Sequence, residues 1–196
     1  MKQMLRMAAV CIGLLLVIAL PVSATEYGAP EITPKTTMKQ LRENPSIKGS
    51  GLYTYVYIWE RDCDLLRHSK DNDTMEQVIG TESVNSCVAG MNYLIETYNA
   101  GTQITYKLFS PEEIAQDASR DRAELYYFPA EQPGAKYAVV LSGNALFYSG
   151  EMRGGVSTAW ELHQQGYAVF ALRYRIGLDA TDNAPLEDLG RAIQFI

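Results

Sequence analysis

A serine and a histidine in the C-terminal half of the chain are of the types that perform nucleophilic chemistry. Ser157 lies in the stretch 155–159 (GVSTA), which matches a relaxed form of the G-x-S-x-G turn that presents a reactive serine. That turn requires a buried strand immediately before it, whereas residues 149–155 are polar and rich in glycine. We therefore expect Ser157 in the first turn of a helix. We expect His163 and His68 to be solvent-exposed residues without a role as a catalytic base.

The cysteines offer a disulfide but no metal site. Cys11 lies in the N-terminal apolar segment, which leaves Cys63 and Cys87. In an oxidising compartment this pair predicts one disulfide, whose loop of about two dozen residues would contribute roughly 3 kcal/mol, and two buried free thiols are the alternative. Neither cysteine has a partner at metal-ligand spacing, because His68 stands alone near Cys63.

Two aspartates supply carboxylate oxygens of the kind that bind a cation. Asp179 and Asp182 lie beside Gly177 and Thr181, a composition that suits a bound cation. Aspartate and glycine are also the usual residues of turns, and we favour that interpretation. We therefore predict no metal site in this chain.

An aromatic stripe precedes the first cysteine of the pair. In the stretch 52–59 every second residue is aromatic, so that Tyr53, Tyr55, Tyr57 and Trp59 share one face of a predicted strand. Such a face can stack on sugar rings. Packing against a neighbouring domain is the interpretation we favour, because aromatic residues are common in strands.

The N-terminus predicts export. Two basic residues precede an apolar run of 13 residues over 8–20, and the small residues 22–24 (VSA) offer a cleavage site. The run is shorter than the roughly 18 to 20 residues that cross a bilayer. We predict a signal peptide over residues 1–24 with cleavage after Ala24 and a secreted or periplasmic location. An uncleaved anchor is the alternative.

The charge of the chain argues against a nucleic-acid partner. Loss of residues 1–24 removes two basic and no acidic residues, so the net charge of −6 becomes −8. Such a surface repels phosphate backbones, and the sequence has no basic stripe with interleaved aromatics. No later segment is apolar enough to span a membrane, so we also expect no membrane partner after cleavage.

Residues 25–101 predict a small, mainly helical extension. Capping-box patterns that begin at Thr37 and Thr74 mark two helix starts. Apolar residues at helical spacing over 84–98 predict a longer helix, which Gly101 ends in a left-handed conformation. We expect no catalytic residues in this extension.

From residue 102 onward, strands alternate with helices. Half-buried strands are predicted over 104–109 and 123–128, and helices over 156–165 and 185–196. Continuous apolar runs at 137–141 and 167–172 are typical of strands buried on both faces of a parallel sheet. This order predicts an α/β fold with a crossover helix between two parallel strands. It also predicts an exposed apolar sheet edge beyond the strand at 167–172.

Three stretches of this region resemble one family. Residues 139–143 (VVLSG), 166–175 (GYAVFALRYR) and 184–193 (APLEDLGRAI) are similar, in order and spacing, to the secreted acetyl-esterase and lipase-like branch of the α/β-hydrolase fold. The resemblance covers residues 102–196. It implies an incomplete α/β-hydrolase sheet, the N-terminal half of that domain, with residues 137–141 and 167–172 as its third and fourth strands.

The resemblance also implies a chemistry. Members of the family hydrolyse small esters or acetyl groups, including those on acetylated carbohydrate, by serine acyl transfer without a cofactor. The nucleophile turn, the acid and the histidine follow the second helix in chain order. None of them corresponds to a residue of this chain, so we expect no catalytic residue and no activity for residues 1–196 by themselves.

One catalytic element is implied within the chain. The loop after the third strand supplies a backbone N–H of the oxyanion hole, which assigns this role to Gly143, Asn144 and Ala145. Relatives have a glycine-rich run there, whereas this chain keeps one glycine. The alternative function is an exported glycan-binding or interaction module that uses the aromatic strand from Tyr53 to Trp59.

Overall fold

Short helices with side-chain caps build the N-terminal part of the structure. The computed structural model describes residues 32–52, 69–142 and 150–196. Its first helices are Met38–Glu43 (α1), Pro45–Ser50 (α2), Met75–Ile79 (α3) and Val84–Asn99 (α4). Thr37 and Thr74 each form a complete capping box with the glutamine three residues later, so both predicted helix starts are confirmed. Gly101 follows α4 with φ +91°, the left-handed conformation predicted for it.

A four-stranded mixed sheet forms the framework of the C-terminal part. Its strands are Thr105–Lys107 (β1), Glu124–Phe128 (β2), Tyr137–Leu141 (β3) and Ala168–Arg173 (β4). Their order in the sheet is β1-β2-β4-β3. β2 is antiparallel to β1 and β4, whereas β3 and β4 are parallel, with Val139 opposite Phe170. The α/β class and the parallel pairing of the two apolar strands are thereby confirmed.

Among the described strands, β1 and β3 are the edges of the sheet, and β4 is an interior strand. Because β4 pairs with β2 on one side and with β3 on the other, the predicted open edge beyond residues 167–172 is wrong. The prediction that residues 137–141 are buried on both faces is also wrong, since Tyr137 and Leu141 are 55% and 43% exposed. An apolar run shows that a strand is hydrophobic, but it does not show which strands lie beside it.

Helices cover both faces of the sheet. The remaining helices are Pro111–Gln116 (α5), Ser157–Gln164 (α6) and Ala184–Phe195 (α7). One core joins α6 and α4 to the face that carries Tyr126, Val140 and Ala171. The other joins α7 to the face that carries Leu125 and Leu172. Helix α6, which lies between β3 and β4 in the chain, and helix α7, which follows β4, therefore lie on opposite faces, as in a doubly wound sheet.

The helical extension shares the first core with the sheet. α4 and α6 approach closely at Gly90, where an added Cβ would lie 3.0 Å from Val156 Cγ1 and 3.1 Å from Trp160 Cβ. A glycine at this position therefore allows the two helices to pack. Helices α1 to α3 contribute further buried side chains to the same core, among them Leu41, Ile47 and Met75.

Helix α7 buries a different face from the one its apolar residues suggest. Leu186 and Ile193 are 67% and 55% exposed, whereas Asp188 and Ala192 are fully buried. The buried face contains Asp188, which forms an ion pair with Arg175. Within the described residues, no helix is long and apolar enough to cross a membrane.

Candidate functional site at the carboxyl ends of β3 and β4

Buried polar residues gather where the two parallel strands end. Ser142 follows β3 directly, and Tyr174 follows β4; their exposed fractions are 4% and 8%. The Tyr174 hydroxyl donates a hydrogen bond of 2.7 Å to the Ser142 carbonyl oxygen. Burial raises the pKa of the Tyr174 hydroxyl, so the group stays protonated and remains a donor. This bond fixes the end of β3 relative to β4.

The Ser142 hydroxyl is buried and makes no hydrogen bond within the described residues. It faces the chain at Gly155, where an added Cβ would lie 3.6 Å from Ser142 Cβ and 3.9 Å from Ser142 Oγ. A buried hydroxyl without a partner costs about 1–3 kcal/mol. Such a group is a candidate to contact a ligand at this end of the sheet.

A π-helical segment, Glu151–Val156, leads into α6 beside Ser142. The N–H groups of Gly154 and Gly155 both donate to the Gly150 carbonyl, at 2.6 and 3.3 Å. The prediction of a single helix over 156–165 did not include this segment. π-Helical turns are rare and occur often at functional sites, because the extra residue in the turn changes where side chains point.

A buried charge cluster fixes the end of β4. Arg173 Nη1 lies 3.1 Å from Glu124 Oε1, and Arg173 Nε lies 3.8 Å from Glu151 Oε1. Glu124 also pairs with Lys107 Nζ at 2.8 Å and accepts a short hydrogen bond from the Tyr126 hydroxyl. The side chains of the three residues Arg173, Glu124 and Glu151 are 7%, 2% and 4% exposed. The cluster therefore joins β1, β2, β4 and the π-helical segment at the end of the sheet where β4 stops.

A second buried ion pair attaches α7 to the end of β4. Arg175 donates to Asp188 from its backbone N–H at 2.8 Å, from Nε at 3.0 Å and from Nη2 at 2.7 Å. Its Nη2 also donates to Glu187 Oε2 at 2.6 Å. Burial alone would lower the pKa of the Arg175 guanidinium, but its hydrogen bonds with Asp188 and Glu187 outweigh burial and raise it. Arg175 is therefore a charged anchor between the strand and the helix.

Ser157 of the GVSTA stretch and the nearby His163 do not form a reactive pair. Ser157 is the first residue of α6, as predicted, and its hydroxyl contacts the carbonyl oxygens of Met152 and Ser83 at 3.2 and 3.3 Å. The prediction that His163 is solvent-exposed is wrong, because the residue is 6% exposed. Its ring centroid lies 4.3 Å from that of Tyr93, and burial lowers its pKa. The residue is therefore a neutral member of an aromatic cluster.

Several predicted residues lie outside the described part of the structure. They are Gly143, Asn144 and Ala145 of the implied oxyanion hole, Cys63, His68, the aromatic strand Tyr53 to Trp59, and the proposed signal peptide. Cys87 is fully buried, and burial raises the pKa of its thiol to about 12. Its pairing with Cys63 stays a prediction.

The two aspartates of the loop after β4 behave as turn residues. Asp179 ends the short 3₁₀ helix Gly177–Asp179 and pairs with Arg122 Nη1 at 2.8 Å. Asp182 lies in a turn with φ +51°. Within the described ranges, no group of three histidine, cysteine or acidic side chains is placed to hold a metal ion.

The comparisons with known proteins identify no relative. Neither a protein-family model, nor a curated protein, nor a solved structure matches the chain. What the fold defines is a class: a mixed α/β structure whose four-stranded sheet is covered by helices on both faces.

Proposed function

We propose that residues 102–196 form the N-terminal half of an α/β-hydrolase domain, in an exported enzyme that hydrolyses small esters or the acetyl groups of carbohydrates. The sequence stretches at 139–143, 166–175 and 184–193 first suggested this family. The proposed reaction is serine acyl transfer, which requires no cofactor.

The observation that carries the proposal is the position of β3 at the sheet edge. Both sides of β4 are occupied, by β2 and β3, so a further strand next to the parallel pair has room only beside β3. Helix α6, between β3 and β4 in the chain, packs on one face of the sheet, and helix α7, after β4, packs on the other. The carboxyl end of β3 would then be the point where the strand order reverses, and in open α/β sheets ligands bind outside the strands at such points.

The polar residues at this end suit an acyl-transfer site. The segment 143–149 directly follows Ser142, and a loop at this position supplies an oxyanion-hole N–H in the proposed family. One correctly aimed donor of this kind stabilises the transition state by about 3–4 kcal/mol. The bond from Tyr174 and the charge cluster around Arg173 give the loop a rigid base. The nucleophilic serine, the acid and the histidine are proposed to follow α7 in chain order.

The coding sequence downstream of the Ile196 codon tests this proposal. We expect it to encode a buried strand and a G-x-S-x-G turn directly after α7. The longer product should hydrolyse p-nitrophenyl acetate, and replacement of the serine of that turn by alanine should abolish turnover. A continuous reading frame without the motif would contradict the proposal. Turnover by residues 1–196 alone that is lost in Ser157→Ala would contradict it as well.

A further inference from the structure

A cleft opens on the opposite edge of the sheet from β3. It lies between the end of α2, the end of α4 and the start of β1, and its volume is about 390 Å³. This volume falls within the range of about 300–1,000 Å³ that is usual for small-molecule sites. Within the part of the chain that the structure describes, the lining includes Gly49, Tyr98, Thr102, Gln103 and Thr105, and none of the lining residues carries a charged side chain.

One wall of the cleft depends on a glycine. An added Cβ at Gly49 would lie 2.7 Å from the Tyr98 hydroxyl oxygen, so any side chain there would displace the tyrosine. With glycine, the half-buried Tyr98 side chain packs against the end of α2. Its hydroxyl makes no hydrogen bond within the described residues and is available to a ligand.

The floor of the cleft is held by internal hydrogen bonds. The Thr105 hydroxyl donates to the Ser50 carbonyl at 2.6 Å, and Gln103 Nε2 donates to the Thr105 carbonyl at 2.9 Å. These bonds fix the Gln103 side chain and leave its Oε1 as an acceptor. The exposed hydroxyl of Thr102 adds a group that both donates and accepts.

We propose that this cleft binds a neutral carbohydrate. Among the described lining residues, an anion would find no cationic side chain, and a cation would find no carboxylate. An apolar ligand would leave the Tyr98 and Thr102 hydroxyls without partners, which is unfavourable. Sugar hydroxyls donate and accept hydrogen bonds, and the faces of sugar rings pack on aromatic side chains. The site lies away from the carboxyl end of β3 and does not depend on the proposed hydrolase activity.

Titration of the purified chain with neutral tetrasaccharides tests the proposal. Xylotetraose, cellotetraose and maltotetraose are compared by calorimetry with the anionic tetragalacturonate. We expect at least one neutral sugar to bind, and binding to weaken about fivefold in Tyr98→Phe and in Thr102→Val, because each change removes one hydrogen-bonding hydroxyl. The matched control is Tyr137→Phe, which removes an exposed tyrosine hydroxyl at the opposite sheet edge and should leave the dissociation constant unchanged.

Four results would overturn the proposal. The first is that no neutral sugar binds at millimolar concentration, and the second is that tetragalacturonate binds as tightly as the neutral sugars. The third is that correctly folded Tyr98→Phe and Thr102→Val proteins keep the affinity of the wild type. The fourth is that only Trp59→Ala abolishes binding. The last result would assign the sugar to the aromatic strand instead. Because the sugars carry no ester, none of these results depends on whether the chain belongs to a hydrolase.

Discussion

Replacement of Asp188 by alanine should be among the most damaging single changes in the described part of the chain. Asp188 is fully buried and accepts hydrogen bonds from three nitrogen atoms of Arg175: the backbone N, Nε and Nη2. The Arg175 side chain is only 4% exposed, so the variant leaves a buried guanidinium with weaker neutralisation. Breaking a buried pair costs about 3–5 kcal/mol. Because Glu187 still contacts Arg175 at 2.6 Å, we expect the lower end, about 3 kcal/mol.

Thermal and urea unfolding measure this loss. For a chain of this size, about 3 kcal/mol corresponds to a fall in Tm of roughly 6–12 °C. Replacing both partners, as in Arg175→Met with Asp188→Leu, should restore most of the stability because no charge is left buried. The control is Glu76→Gln, whose partner Lys35 is 85% exposed, and it should change stability by less than about 0.5 kcal/mol. An Asp188→Ala protein within about 1 kcal/mol of wild type would refute the reasoning.

Three further predictions follow from burial and packing. In a urea titration, Gly90→Ala should lower the free energy of unfolding by about 1–3 kcal/mol, because its Cβ would meet Val156 and Trp160. Gly190 has open space around it, so Gly190→Ala should raise the free energy of unfolding by about 0.5–1 kcal/mol in the same titration. Burial lowers the pKa of His163, so protonation favours the unfolded state, and stability should fall as pH drops below about 6.5. The variant His163→Phe should therefore flatten the profile of Tm against pH. An unchanged profile would contradict this prediction. In a Cys11→Ser, Cys63→Ser protein, the buried Cys87 should react with a thiol reagent only after unfolding, and rapid labelling of the native protein would contradict its burial.

Local structure was predictable from sequence wherever neighbouring residues decide it. The capping boxes at Thr37, Thr74 and Ser110 each need only a hydroxyl and a glutamine or glutamate three residues later, and all three form. The parallel pairing of the two apolar strands was predictable for a similar reason, because a strand, a helix and a second apolar strand in sequence order define a crossover unit.

Features that depend on distant residues were not predictable. The sequence could not show that β4 lies between β2 and β3, because both parallel strands are equally apolar. His163 is followed by two glutamines, and its burial results from packing against Tyr93 on α4. The face that α7 buries is set by Asp188, whose partner Arg175 follows β4.

The candidate site was predictable only in its position. The resemblance pointed to the loop after residues 137–141, and the structure places Ser142, the residue before that loop, against Tyr174 at the carboxyl ends of β3 and β4. The cluster of Arg173 with Glu124 and Glu151 was missed, because charged residues at strand ends are usually solvent-exposed. The sequence signal that could have indicated this cluster was Arg173, an arginine directly after the continuous apolar run 167–172.

Amide hydrogen exchange of the sheet tests the strand order on which the functional proposal depends. An edge strand has N–H groups that point away from its single neighbour, whereas an interior strand has none. The order β1-β2-β4-β3 therefore predicts slow exchange along all of residues 168–173 and slow exchange at only alternate residues of 137–141. Alternate protection along 168–173 with uniform protection along 137–141 would contradict the account, because the carboxyl end of β3 would no longer lie where the strand order reverses.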